Sequence, residues 1–336
     1  MKIIKPSHTH ISKKGLTPYQ FVEKIGRTCY KSEDNITADS AVKFCAGLCS
    51  RSHFAMLEHY WVHMIVNYDI DLLNCFWEMG LLNYARYMYF TIAEGETYVS
   101  MPIRVFLETK DIVEAQPNPY HRPIINMWQS VFNAYPDIMQ MPVTEEVEHV
   151  TLLDEDAFCY TLEKVLRDYC QASEDGIRGE LMKHRTHTVL FVCDRGVSHE
   201  LVRHRPCSFA QESTRYCNYS HDKFGEEITV ILPLFFDTGM GTSSNSLVYE
   251  AWKYSCEVAE RKYFELLNYG ATPQEARSVL PNSLKTEIIM TCNETEWQHI
   301  INLRSKGTTG TPHPQMKEVM TPWYEDLKIL SGGRVQ

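Results

Sequence analysis

Residues 203–216 read RHRPCSFAQESTRY, a segment with three arginines, one histidine, two serines and a Gln–Glu pair. An arginine presents a rigid fork of donors that matches phosphate or carboxylate oxygens. Serine hydroxyls and side-chain amides complete such a site or hydrogen-bond the edge of a base. A packed hydrophobic core would not select this set of residues. The segment therefore indicates a site for an anionic, hydrogen-bonding ligand such as a nucleotide.

The residues before this segment predict a helix over 194–205, because Pro206 follows and the residue before a proline avoids helical geometry. The three basic residues that open the segment would then lie in the last helical turn. The helix dipole favours cations there, so a purely structural role for them stays open. Ser208, Gln211, Ser213 and Arg215 add further donors, and they favour the ligand site.

Elsewhere the apolar pattern predicts helices and strands in an irregular order. Helices are expected from Thr17-Pro18 onward, at about 38–50 with Val42, Cys45 and Leu48 inward, and at 72–84, 158–169, 246–269, 272–280, 294–304 and after Pro312. Strands are expected at 60–66, 188–193, 228–232 and 287–291, and the stretch YVSMPIRVFLE (98–108) is expected to be extended. Because the order lacks regular βαβ alternation, we expect an α+β fold.

Composition excludes several classes of protein. The 336 residues include 44% hydrophobic ones, enough for a substantial core, and carry a formal net charge of −10. A generic nucleic-acid binder would spread basic charge over one face, so we expect no nucleic-acid partner. No apolar run reaches the roughly 18 residues of a membrane span, and the start has no apolar signal core, so we expect neither export nor a membrane partner.

Cysteine usage favours reduced thiols. The chain has 11 cysteines and no C-x-x-C pair, which fits a disulfide framework poorly and predicts a cytoplasmic protein. Cys207 and Cys217 flank the basic cluster and stay open as nucleophiles, although neither has an obvious activating base. HELVRH (199–204) looks like a zinc-binding motif. His199 and His204, however, are separated by about 140° around a helix and so cannot bind one metal together. We expect no metal.

Residues 203–216 resemble the R-H-R-x-x-S-x-x-x-x-S-x-R-Y signature of the flavin-dependent thymidylate synthases at every fixed position. SHFAMLEH (52–59), ARSVLP (276–281) and NLR (302–304) are similar to three other segments of that family, in the family's order. The resemblance covers 17–66 and 186–330. It implies one domain over 1–336 with mixed helices and antiparallel sheet, and an insertion or elaboration at 67–185.

The resemblance also implies an activity. Members of the family are homotetramers whose active sites lie at subunit interfaces and hold FAD, deoxyuridine monophosphate (dUMP) and methylenetetrahydrofolate. They methylate carbon 5 of the uracil reductively, with NADPH as the reductant, and yield dTMP. They are not thought to need an enzyme nucleophile on the pyrimidine, which agrees with the lack of an obviously activated cysteine.

Matching positions carry the family's site residues to this chain. The expected catalytic residues are Arg304, Ser213 and Arg203. The expected FAD-binding residues are His53, Glu58, Arg203, His204, Arg205 and Asn293. The expected dUMP-binding residues are Glu200, Gln211, Glu212, Ser213, Arg215, Arg277 and Arg304.

Some positions depart from the family pattern. Ala55 replaces the usual serine or threonine, and Ala210 and Thr295 replace an asparagine and an arginine of some members. Lys306-Gly307-Thr308 departs from a pattern with a histidine near that point. Two rival functions stay open: a flavin-dependent paralogue that makes a different C5 pyrimidine modification, and a non-catalytic nucleotide- or RNA-binding protein.

Overall fold

The computed structural model of the chain describes residues 1–68, 72–115, 118–139, 147–215, 218–220, 225–236 and 243–336. Tyr216 of the arginine-rich segment and Cys217 lie outside the described residues. The strands are β1 (Lys2–Ile4), β2 (Ser7–His10), β3 (Trp61–Val66), β4 (Tyr89–Ala93), β5 (Glu96–Pro102), β6 (Val150–Leu153), β7 (Thr186–Asp194), β8 (Ser208–Gln211), β9 (Thr229–Ile231) and β10 (Lys285–Asn293).

Helices pack on the two four-stranded sheets that most of these strands form. They are α1 (Pro18–Tyr30), α2 (Ser40–Ser50), α3 (Leu72–Glu78), α4 (Ile103–Glu114), α5 (Arg122–Ala134), α6 (Pro136–Met139), α7 (Glu155–Asp168), α8 (Glu174–His184), α9 (Arg195–Leu201), α10 (Ser243–Asn268), α11 (Pro273–Ala276), α12 (Glu294–Ile301) and α13 (Pro314–Leu330). A π-helical turn, Asn302–Lys306, follows α12. Among the described residues, no helix has both the length and the apolar character needed to cross a membrane.

The central sheet has the strand order β2-β7-β10-β8, and all its neighbours are antiparallel. β7 and β10 pair along nine residues each, from Lys285 opposite Asp194 to Asn293 opposite Thr186. Side chains alternate between the faces of a strand. Ile288 of β10 accordingly packs in the core formed with α12 and α13, whereas Ile289 packs in the core formed with α1 and α2.

A second antiparallel sheet has the order β4-β5-β3-β6. Three of its strands come from the block 67–185, and α4 and α5 pack against it through Phe106 and Trp128. A short parallel pair, β1 with β9, forms a separate sheet, and Val230 of β9 is bridged to Leu284, just before β10. The mixed, mainly antiparallel architecture confirms the predicted α+β class, whereas the status of 67–185 as an insertion stays a prediction.

A buried polar chain links the second sheet to α8. The Ser100 hydroxyl of β5 lies 2.8 Å from His63 Nδ1 and 2.7 Å from His184 Nδ1. Burial lowers the pKa of His184 to about 3 and also lowers that of His63. Both rings are therefore neutral near neutral pH, and the serine bridges them without a buried charge.

The expected strands at 60–66, 188–193, 228–232 and 287–291 are all present, as β3, β7, β9 and β10. The prediction for 98–108 was half wrong, because the chain is extended only through Pro102 and then forms α4. Val42 was expected to point inward but is 41% exposed, whereas Cys45 and Leu48 are buried as predicted. The expected helix over 272–280 is a short α11 continued by a 3₁₀ turn, Arg277–Val279.

The predicted helix over 194–205 ends earlier, at Leu201. Arg203, His204 and Arg205 therefore lie in the turn that follows α9 and not in its last turn. Backbone bonds from Arg203 to Glu200 and from His204 to Leu201 span three residues, as in tight turns. The His204 side chain is buried in this turn, so a tertiary contact fixes the chain where local propensity would extend the helix.

Glu294, at the start of α12, is fully buried and holds three charge-assisted contacts. Its carboxylate accepts from Arg334 Nε (2.7 Å) and Nη2 (2.8 Å), and it lies 2.8 Å from His187 Nε2 of β7. This group ties the last residues of the chain to the central sheet.

Replacing Glu294 with alanine should destabilise the fold by about 3–5 kcal/mol, because it leaves Arg334 without its carboxylate in a largely buried place. Urea titration followed by circular dichroism measures this loss. Glu325→Ala is the matched control, because the exposed pair of Glu325 with Lys328 should contribute little. Equal effects of the two substitutions would contradict the structural role of Glu294.

Candidate active site

A cleft of about 740 Å³ lies between the end of α1, the start of the loop after α2, and the segment after β8. It brings together three of the predicted site residues, His53, Ser213 and Arg215, from two distant parts of the sequence. A backbone bond from Ser213 N to Cys29 O (3.3 Å) holds the two segments together. The other lining residues are Arg27, Cys29, Tyr30, Ser32, Phe44, Arg51 and Met56.

The side chains on the α1 side of the cleft are held in place by their neighbours. His53 Nδ1 lies 2.8 Å from the Tyr30 hydroxyl. The Arg27 guanidinium donates to Glu23 Oε1 (3.2 and 3.1 Å) and stacks over Phe44, 4.7 Å from the ring centre. Positively charged and aromatic groups thus line the same cleft, which suits an anionic ligand with a planar ring.

The cleft's cysteine is poorly suited to act as a nucleophile. Burial raises the pKa of the Cys29 thiol to about 11, so the thiolate is rare at neutral pH. Its Sγ instead donates to the carbonyl of Gln211 at 2.9 Å.

A second group of predicted residues meets near the end of α9. Arg304, in the π-helical turn, donates from Nη1 to Glu200 Oε2 (2.9 Å) and from Nε to His204 Nε2 (3.0 Å). Burial lowers the pKa of His204 to about 4, and the positive charges of Arg304 and Arg203 add to this effect. Because Nε2 accepts a hydrogen bond, the neutral ring carries its proton on Nδ1. Arg304 is therefore fixed between a carboxylate and a neutral imidazole.

Gln211 and Glu212 are consecutive, but their side chains contact different elements. Gln211 Nε2 donates to Ser198 Oγ (2.9 Å) and to Thr286 Oγ1 (3.1 Å), next to α9. Glu212 is buried, and its Oε2 accepts from Lys285 Nζ at 3.0 Å. Burial disfavours the charge of Lys285, yet Glu212 and Glu287 keep its pKa above the ordinary value. Glu212 thus lies in an ion-pair network and not among the lining residues of the cleft.

The remaining predicted residues are spread out. Arg277 donates to Thr214 Oγ1 (3.4 Å), beside Ser213 and Arg215. Arg203 and Arg205 are exposed in the turn after α9. Asn293 caps α12, where its Oδ1 accepts from Glu296 N (2.9 Å) and its Nδ2 donates to Lys183 O (2.9 Å). The geometry gives Asn293 a structural role in this chain.

Glu58 lies in a separate small cavity of about 110 Å³. Its carboxylate accepts from Arg104 Nη1 at 2.6 Å, and Arg104 also donates from Nε to Glu108 (2.7 Å). Arg104 belongs to α4, so the block 67–185 contributes a charged partner to a residue that was expected to contact FAD.

Sequence reasoning missed Arg27, Arg51 and Tyr30 in the cleft and Arg104 beside Glu58. Arg27 is partly buried on an amphipathic helix and pairs with Glu23 one turn earlier, and in a sequence a ligand-binding arginine looks the same as one that only forms such a pair. Arg51 does neighbour SHFAMLEH, and this proximity was a usable signal. Arg104 could not be found, because its partner is 46 residues away in the chain.

The fold is thus an α+β one with a cationic cleft suited to a nucleotide. Residues 178–328 match the model of the "Thymidylate synthase complementing protein" family. This match, which spans a little under half of the chain, contains the segments 203–216, 276–281 and 302–304 that resemble the flavin-dependent thymidylate synthases.

Several curated relatives are named flavin-dependent thymidylate synthase. That of Pyrococcus furiosus is 33% identical over 125 residues, which is 37% of this chain and 48% of the relative. That of Geobacter sulfurreducens is 36% identical over 110 residues, which is 33% of this chain and 43% of the relative. The chain thus spans about half the length of the curated relatives it matches.

Among solved structures, the UMP/dUMP methylase PolB from Streptomyces cacaoi bound with 5-Br dUMP is similar at 23% identity. The alignment covers 53% of this chain and 78% of that one, with a TM-score of 0.39. This score is too low to establish a shared fold.

The lowered pKa of His204 predicts how the stability of the fold depends on pH. Because the folded ring resists protonation down to about pH 4, the unfolded chain binds more protons between roughly pH 6.5 and pH 4. The free energy of unfolding should therefore fall as the pH is lowered through this window, with His204 contributing at most about 1.4 kcal/mol per pH unit. Urea titrations at several pH values should show a flatter profile for His204→Gln.

Arg304→Gln provides a second check, because it removes a positive charge next to the ring. This variant should raise the pKa of folded His204 toward its ordinary value and so narrow, from the acid side, the pH window in which His204 affects stability. Identical pH profiles for the wild type and both variants would contradict the neutral, buried state of His204.

Proposed function

We propose that the chain is a flavin-dependent thymidylate synthase that converts dUMP to dTMP, with methylenetetrahydrofolate as carbon donor and NADPH as reductant. The observation that carries the proposal is the cleft in which His53 lies with Ser213 and Arg215. These residues come from two separate motifs, and they were expected to contact the flavin and the nucleotide respectively. The family match over 178–328 supports the same conclusion.

The cleft residues fit FAD. Tyr30, Phe44 and His53 offer flat aromatic surfaces, and Arg27 and Arg51 supply positive charge for a diphosphate. The Ser32 hydroxyl is buried at the cleft wall, and within the described part of the chain it has no hydrogen-bond partner. A ligand oxygen would satisfy this group, since a buried unpaired hydroxyl is costly. When bound, FAD supplies hydride transfer.

The nucleotide is assigned to the Ser213–Arg215 segment. The Arg215 side chain is exposed, and its Nε donates to Gln274 Oε1 at 3.2 Å, which directs the guanidinium. A charge-assisted bond from an oriented arginine to a phosphate is about twice as strong as a neutral hydrogen bond. The Ser213 hydroxyl lies on the same segment, and Arg277, from the turn after α11, donates to Thr214 of that segment. We assign the phosphate of dUMP to Arg215 and Ser213.

Arg304 is assigned to the uracil. Its guanidinium is fixed by Glu200 and His204 while 22% of the side chain stays exposed, so some donors remain available to a ligand. A preorganised cation stabilises negative charge that develops on the ring during transfer. Glu200 keeps the guanidinium in place, and the neutral His204 avoids a second positive charge beside it.

The site is proposed to be shared between subunits of a homotetramer. Within one chain, the cleft group (His53, Ser213 and Arg215) and the Arg304 group (Arg304, Glu200 and His204) contact different elements, α1 and α2 in one case and α9 and α12 in the other. We therefore assign the completion of each dUMP site to a second chain. Arg203 and Arg205, exposed on the turn that also carries His204, are assigned to FAD from a neighbouring subunit.

The activity test uses purified full-length protein. After addition of FAD and removal of the excess, the protein should keep the yellow spectrum of oxidised flavin. With dUMP, methylenetetrahydrofolate and NADPH it should yield dTMP, identified by mass spectrometry. A colourless protein, or no pyrimidine product, would overturn the proposal. A product with the mass of the hydroxymethyl compound would instead assign the chain to a paralogue with a different C5 modification.

Replacing Arg215 with alanine should raise the Kd for dUMP about tenfold or more, because it removes a charge-assisted bond to the phosphate. Isothermal titration calorimetry measures the affinity, and thermal unfolding checks the fold. Arg261→Ala is the matched control, since this exposed arginine of α10 lies away from the cleft. A fall in stability with unchanged dUMP affinity would show that Arg215 is a structural residue.

A further inference from the structure

Two cysteines lie opposite one another on neighbouring strands of the central sheet. β8 pairs with β10 in antiparallel register, and the last pair is Ser208 opposite Thr291. One residue beyond this pair on each strand, the same register places Cys207 opposite Cys292. Both cysteines belong to the core formed with α12 and α13, so their side chains point to the same face of the sheet.

The type of pairing follows from a single backbone bond. Glu212 N donates to Glu287 O (2.8 Å), so these two residues form a hydrogen-bonded pair. Hydrogen-bonded and non-hydrogen-bonded pairs alternate along an antiparallel ladder. Five residues from Glu212, Cys207 falls at a non-hydrogen-bonded position, where Cα atoms are only about 4.5 Å apart and side chains are closest. Disulfides span Cα separations of about 4.4–6.8 Å.

The two thiols differ in their access to solvent. Cys292 is fully buried, whereas Cys207 is only partly buried. Burial, with the neighbouring Cys207 thiol as a smaller contribution, raises the pKa of Cys292 well above its ordinary value. Cys207 is therefore the thiol that a dissolved oxidant reaches first.

We propose that Cys207 and Cys292 are a modification site: a thiol pair that a hydroperoxide oxidant converts to a reversible cross-strand disulfide. Peroxide oxidises the Cys207 thiol to a sulfenic acid and releases one water. The Cys292 sulfur then attacks the Cys207 sulfur and displaces the hydroxyl, which takes the Cys292 proton and leaves as a second water. The two thiols lose two electrons, and the O–O bond of the peroxide is reduced.

The position of the pair gives the modification a structural consequence. Cys207 lies two residues after Arg205, and Cys292 directly precedes Asn293, the cap of α12. The disulfide would join the turn that carries the three basic residues to the strand that leads to Arg304.

The experiment uses reduced full-length protein treated with hydrogen peroxide, blocked with N-ethylmaleimide and digested with trypsin without reductant. Trypsin does not cleave Arg–Pro bonds, so Cys207 is in peptide 204–215 and Cys292 is in peptide 286–304. We expect a linked species of these two peptides that dithiothreitol separates. The protein should lose two reactive thiols on unfolding relative to the untreated sample.

Variants distinguish the proposed pair from general thiol oxidation. Cys207→Ser should abolish the linked species, and Cys292→Ala should leave a Cys207 sulfenic acid that dimedone traps. Cys170→Ser, which removes an exposed cysteine, should leave the linked species unchanged. Recovery of wild-type Cys207 only as higher oxides, or linked to another cysteine, would overturn the proposal.

Discussion

The nine-residue pairing of β7 with β10 is the constraint on which the rest of the structure depends. Each strand leads directly into a helix through its last residue: Asp194 caps α9 (2.7 Å to Val197 N) and Asn293 caps α12 (2.9 Å to Glu296 N). Because the strands are antiparallel, the two caps lie at opposite ends of the sheet. The helices therefore run back over the same face from opposite ends, and this brings Glu200 to Arg304 across 104 residues of sequence.

The same sheet also determines which residues can share a site. Side chains alternate between faces, so the consecutive residues Gln211 and Glu212 point in opposite directions. The structure shows this separation, with Gln211 at Ser198 and Glu212 at Lys285. The polar residues of the motif do not by themselves reveal that their side chains alternate in direction. The proposal that subunits share each site rests on the different elements that the cleft group and the Arg304 group contact.

Sequence reasoning succeeded where local pattern dominates. The β-branched and aromatic run of β3 and the long helix α10 were predicted to within a few residues. It failed where tertiary contacts decide. The early end of α9 depends on the buried His204. The prediction that 98–108 is extended was wrong after Pro102, because α4 begins there. The short strands β1 and β2 went unpredicted, since pairing with distant strands stabilises them.

The block 67–185 illustrates this limit, because polar contacts as well as a shared apolar core join it to the remaining chain. Arg104 pairs with Glu58, and Ser100 lies 2.8 Å from His63 Nδ1. Without the block, Glu58 would lose its cation and His63 would lose its hydrogen bond to Ser100. Buried groups without partners are costly, so the chain outside the block is adapted to its presence. The environment of Glu58 in this chain therefore depends on α4, which lies outside the segment 52–59 that contains Glu58.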